Sequence, residues 1–133
     1  MRKMLFIAPL LLILLVFAGC GAKTYLLKNS VDEIESIEIV SAENSLNFTV
    51  IKALSEIEKN DFLEQLLVIK FDSYYVGDPM SINGTAVKIT YQNGDYEMIC
   101  HDWAEYVKNG EVYFVRKSCD EEDFNKLLNN FLE

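Results

Sequence analysis

Three Asn-Gly pairs constrain this chain more than any other feature. Asn83-Gly84, Asn93-Gly94 and Asn109-Gly110 each separate segments of strand-like character. Both residues of such a pair accept the positive φ of a type I′ turn, so the dipeptide is the strongest short hairpin signal. A two-residue turn at Asn93-Gly94 sets Gln92 opposite Asp95, Tyr91 opposite Tyr96, Ile89 opposite Met98 and Val87 opposite Cys100. Val87, Ile89, Tyr91, Tyr96, Met98 and Cys100 then share an apolar face, and Lys88, Thr90, Gln92, Asp95 and Glu97 the polar one. The same turn at Asn109-Gly110 puts Trp103, Val107, Val112 and Phe114 on one face and Ala104, Tyr106, Tyr113 and Val115 on the other.

The rest of the folded part reads in the same way. Ile34 to Val40 and Leu46 to Ile51 alternate, with Ser41 to Ser45 between them, which predicts a hairpin with a loop of about five residues. Ser55-Glu56-Ile57-Glu58 is a capping box. It opens a helix carrying Ile57, Phe62, Leu63, Leu66 and Leu67 and ending near Leu67. Residues 69–76 predict a third strand, broken by Gly77-Asp78-Pro79. Ser118-Cys119-Asp120-Glu121 is a second capping box, with acidic residues 120–123 where the helix dipole favours negative charge. Phe124, Leu127, Leu128, Phe131 and Leu132 then follow helical spacing as one core-facing stripe.

The predicted fold class is therefore α+β. An antiparallel sheet of five to six strands carries two helices on one face, in the order β-β-α-β-β-β-β-α. This order resembles the TATA-binding-protein-like topology, a likeness of fold that implies no function. The Tyr91-Gln92-Asn93-Gly94-Asp95-Tyr96 hairpin and the Trp103-Ala104-Glu105-Tyr106 segment are similar to small uncharacterised lipoproteins of Gram-positive gut bacteria, over about residues 34–132. That resemblance implies no catalytic residues.

The N-terminus has a separate logic. Arg2 and Lys3 precede an apolar run from Leu5 to Phe17, interrupted in character by Pro9. The run is short for a bilayer span, which takes about 20 residues, and fits a secretory signal. Phe17-Ala18-Gly19-Cys20 resembles the bacterial lipobox, in which Leu is commonest where Phe17 stands. The resemblance implies a diacylglycerol on the Cys20 thiol and cleavage before it. The alternative is an uncleaved anchor with Cys20 incidental. Residues 1–19 are then the signal, 20–33 a lipidated tether and 34–133 one domain. Part of the tether around Tyr25-Leu26-Leu27 could dock on that domain.

Cleavage would leave 114 residues, enough for one core. Arg2 and Lys3 depart, so 10 basic face 21 acidic side chains, a net of −11. Such a chain repels phosphate backbones, which argues against nucleic acid, and gains nothing from anionic lipid heads. Membrane attachment, with the location outside the cytoplasm, therefore rests on the lipid at Cys20.

Few side chains invite chemistry. In a strand Cys100 and His101 point to opposite faces, so Cys100-His101-Asp102 reads as a core cysteine and a polar pair rather than a catalytic group. The single histidine excludes a histidine-rich metal site. Residues 120–123 lack calcium-loop spacing. No cofactor is implied. Extrapolating the Asn109-Gly110 turn sets Cys100 directly opposite Cys119, at a separation compatible with a disulfide, with two buried thiols as the alternative. Helices on one face leave the other open, so that some of the aromatics Tyr74, Tyr75, Trp103, Tyr106 and Tyr113 would be exposed there as a binding surface unless the tether or strand twist covers them. The expected function is a non-catalytic binding domain held at the membrane, its partner an unidentified protein or envelope ligand. A structural envelope component and an enzyme with a site near His101 are the alternatives.

Overall fold

The computed structural model describes residues 23–24, 27–71, 82–101, 103–115 and 119–133. In chain order the elements are β1 (Lys23–Thr24), a 3-10 turn (Val31–Glu33), β2 (Ile34–Asn44), β3 (Asn47–Ala53), α1 (Glu56–Leu66), β4 (Lys70–Phe71), β5 (Gly84–Tyr91), β6 (Tyr96–Cys100), β7 (Trp103–Lys108), β8 (Glu111–Val115) and α2 (Glu121–Leu132). Six strands form one antiparallel sheet in the order β3-β2-β5-β6-β7-β8. Its strands and the two helices follow one another as β-β-α-β-β-β-β-α, the predicted order. The residues called a third strand contribute β4 instead, which pairs with β1 in a separate two-stranded sheet. The rest of that segment lies outside the described residues, as do Cys20, Tyr74, Tyr75 and Asp102.

Both helices cover the same face. Phe62, Leu63 and Leu66 of α1 and Phe124, Leu127, Leu128 and Phe131 of α2 close over Ile37, Ile39, Val87, Ile89 and Ile99. The rings of Phe62 and Phe131 meet edge to face at 5.3 Å. The α1 capping box is present as read, with Ser55 and Glu58 each bonded to the other's backbone N–H. The Ser55 N–H, then the Lys52 ammonium at 3.1 Å, hold the Glu58 carboxyl below its usual range. Ile57 is 77% exposed and is no core residue, since it sits in the first turn, before the stripe of Phe62, Leu63 and Leu66 turns inward. The α2 cap is Asp120, whose side chain accepts from the Asp123 N–H at 3.2 Å, not Ser118.

Of the hairpin turns whose pairing the sequence predicts, Asn109-Gly110 forms as read and two others do not. At Asn109-Gly110 φ is 52° and 76°, and the pairs run Lys108↔Glu111, Val107↔Val112 and Tyr106↔Tyr113 as predicted. The first hairpin turns at Ser45-Leu46 instead of over five residues, because the Asn44 carboxamide accepts the Leu46 N–H and lets β2 run on to Asn44.

Asn93-Gly94 overturns the predicted register. Gly94 takes φ 91°, but Asn93 does not enter the left-handed region. The Gly94 N–H reaches the Tyr91 carbonyl at 2.9 Å, and the Tyr91 N–H reaches the Asp95 carbonyl at 2.8 Å. The loop thus has three residues, a turn followed by a glycine bulge. Asn93 locks it by accepting the Asp95 N–H at 3.0 Å. The pairs become Val87↔Ile99, Lys88↔Met98, Ile89↔Glu97 and Thr90↔Tyr96. A one-residue slip exchanges the faces of the whole strand. Glu97 therefore turns into the helix-side core, while Tyr96, Met98 and Cys100 turn to the other face.

Candidate interaction surface

The helix-free face is not an open aromatic platform. Val40, Ala42, Ala86, Met98, Cys100 and Trp103 form a second buried cluster there, with Ile82 seated on it. Trp103 is 6% exposed, which corrects its placement in an exposed patch. Its indole N–H donates to Glu105 at 3.1 Å, and the same carboxylate accepts from the Ser45 hydroxyl at 2.7 Å. The Tyr96 hydroxyl donates to the Ser45 carbonyl at 2.6 Å, and burial together with Glu105 raises its pKa. The β2–β3 turn is thereby fastened to β6 and β7. Beside it the Lys88 ammonium stands 4.5 Å over the Phe48 ring and 4.6 Å over the Tyr96 ring, so these two aromatics already hold a cation.

A second polar group lies under the helices. The Tyr91 hydroxyl and the Lys28 N–H both donate to Glu97, which is 1% exposed. Burial, then the bond to Glu97, drives the Tyr91 phenol far above its usual range. Tyr106 donates to Asp95 at 2.7 Å, and burial, then Asp95, pushes its pKa up to about 12. Leu27 packs on the same core, so the end of the supposed tether is docked on the domain. Tyr106 is thus half-buried on the helix side, with Trp103 on the opposite face of the same strand. The patch of Trp103, Tyr106 and Tyr113 is not one surface.

Tyr113 is the member left accessible. It lies on β8, the last strand of the sheet, and is 49% exposed, with Val112 beside it at 43%. Its hydroxyl donates to Glu111 at 2.9 Å, and that bond raises its pKa. The two edges differ in kind. β3 pairs with β2 through register shifts at Ile39/Val40 and Ala42/Asn44, and bulges of this sort discourage a further strand. β8 pairs with β7 over five consecutive residues without a shift. A flat edge with exposed apolar side chains is a template for another strand. The sequence carried no signal that separates the two edges, because the bulges of β2–β3 are set in the register of the pair and not in the alternation of either strand.

Cys100 and Cys119 form no disulfide with each other in the structure, which leaves the alternative of two thiols that the sequence had kept open. The Cys119 N–H meets the His101 carbonyl at 2.6 Å, one residue from the extrapolated partner. Cys100 consequently belongs to the Trp103 cluster, where its thiol donates to the Trp103 carbonyl at 3.4 Å, and Cys119 packs against the helix-side core. His101 Nε2 stands 4.0 Å from Glu121 at the start of α2, with His101 part-buried and Glu121 exposed. Among the described residues no three His, Cys, Asp or Glu side chains converge to hold a metal ion. No known protein family, curated protein or solved structure matches the chain.

Proposed function

We propose that this chain is a lipid-anchored protein outside the cytoplasm that acts by binding, with the β8 edge as its contact. Support for the anchor is the charged start, the apolar run and the Phe17-Ala18-Gly19-Cys20 sequence. The observation that carries the binding half is the unbroken β8 edge with Val112 and Tyr113 exposed. An extended peptide segment of another envelope protein fits it, adding a strand through main-chain hydrogen bonds while Tyr113 supplies an aromatic anchor. The surface moves from the sheet face to the sheet edge, because Trp103 is inside.

Two measurements test the parts separately. Labelled palmitate should enter the full chain and not Cys20→Ala; label retained by the variant refutes acylation at Cys20. The domain of residues 21–133 should capture a partner from envelope extract, and Val112→Lys with Tyr113→Lys should abolish the capture. The same partner recovered undiminished by the double variant removes the β8 edge from consideration.

A further inference from the structure

We infer that the end of the domain built from β1, β4 and the turn leading into β4 lies against the membrane surface, with Val68 at the level of the lipid headgroups. This rests on the acylation of Cys20 proposed above. A tether of residues 20–33 would let the domain drift, but little of it is free. Lys23 and Thr24 pair with Phe71 and Lys70, and Phe71 is buried in the helix-side core. Leu27 packs on that core and the Lys28 N–H bonds to Glu97. From Cys20 to Thr24 the fully extended chain covers about 14 Å. Paired Cα atoms stand about 5 Å apart, so the backbone of Lys70 lies within about 20 Å of the acylated residue.

The surface at that place suits an interface between water and lipid. Val68 is 74% exposed, two residues before Lys70. Gln65, Ile69, Lys70, Lys126 and Asn130 line a shallow groove beside it, together with Asp123. Lys70 is exposed, and Lys126 is held by Glu122 at 3.1 Å, which raises its pKa. A protein of net −11 is repelled by an anionic leaflet, so the short tether and Val68, rather than overall charge, select the orientation. Ile57 provides a matched comparison. It is 77% exposed at the other end of α1, and eleven helical residues separate the two ends by about 16 Å.

The experiment uses full-length acylated protein in vesicles of phosphatidylcholine and phosphatidylglycerol containing headgroup-level quencher lipid. An environment-sensitive fluorescent amino acid replaces Val68 or Ile57, leaving the cysteines untouched. Quenching should be several-fold stronger at position 68 than at 57. It should fall to the level of position 57 when a Gly/Ser segment of about 20 residues is inserted between Cys20 and Lys23. Protein that floats with the vesicles but is quenched equally at both positions, or more at 57, overturns the orientation and leaves the anchor standing. Protein that does not float overturns the anchor and the orientation with it.

Discussion

Tyr91→Phe removes the hydroxyl that donates to Glu97 in the helix-side core and that also meets the backbone of Asn29 and Lys28. Tyr91 is fully buried, so phenylalanine keeps the ring contacts and removes only the hydroxyl. The acceptor is Glu97, itself 1% exposed, which retains the Lys28 N–H. A hydrogen bond to a carboxylate contributes about 1.5–3 kcal/mol, and the loss cannot be made good by water at a site this enclosed. We expect a destabilisation of about 2 kcal/mol. For a domain of this size that lowers Tm by about 10 °C. With a urea slope near 1.5 kcal/mol/M it lowers the midpoint by about 1.3 M, the slope being unchanged. Glu97→Met removes the acceptor instead. The Lys28 N–H loses its acceptor in both Glu97→Met proteins, so that loss cancels, and the double variant, with no unpaired Tyr91 hydroxyl, should be more stable than the sum of the singles by about 1 kcal/mol or more. Urea titrations followed by Trp103 fluorescence and far-ultraviolet circular dichroism measure all four proteins. A Tyr91→Phe loss below about 0.5 kcal/mol, or strict additivity, would refute the reasoning.

Gly94→Ala should cost about 1–2 kcal/mol by thermal denaturation, because φ at this position is 91°, with Gly94→Asn milder; equal stability of Ala and Gly would contradict the bulged loop. Denaturation of oxidatively purified protein followed by alkylation without reductant should modify both Cys100 and Cys119, whereas a mass lower by two hydrogens and no alkylation would show a bridge. Alkaline titration should find stability intact below the ordinary tyrosine pKa of about 10 and declining as pH rises toward 12. The sign follows from Tyr106, whose folded pKa is raised to about 12, so only the unfolded chain gains by releasing that proton in between. Phenolate absorbance of all seven tyrosines reaching its limit near pH 10 without loss of structure would oppose it.

The fold was legible where one physical rule acts alone. The Ser55 cap and the α2 stripe depend on local spacing, and Asn109-Gly110 forms the turn its dipeptide prefers. Asn93-Gly94 contains the same dipeptide and turns differently, because Asp95 offers its N–H to the Asn93 side chain and its carbonyl to Tyr91. Alternation then gave the wrong register for a reason rooted in the fold. It identifies a buried face only when the other face is wet. Here both are covered, so Tyr96, Met98 and Cys100 are apolar on the second face while Glu97 is buried on the first. Trp103 was misplaced by the same assumption. The β8 edge was partly legible, since Tyr113 was among the expected contacts, but the flatness that distinguishes it from β3 lies in the pairing register of each hairpin, which alternation along a single strand does not carry.

The order of the elements has a consequence for how the protein is made. Ile37 and Ile39 of β2 share one core with Leu127, Leu128 and Phe131 of α2, near opposite ends of the chain. β2 also waits for β5, as in the pairing of Ile37 with Ile89, before it gains its second neighbour. Closing so wide a loop is slow compared with folding the β5–β8 meander, whose strands are joined by tight turns. A chain emerging N-terminus first therefore has no complete helix-side core until α2 arrives, and the docking of α2 acts as the latch that commits the sheet to its fold.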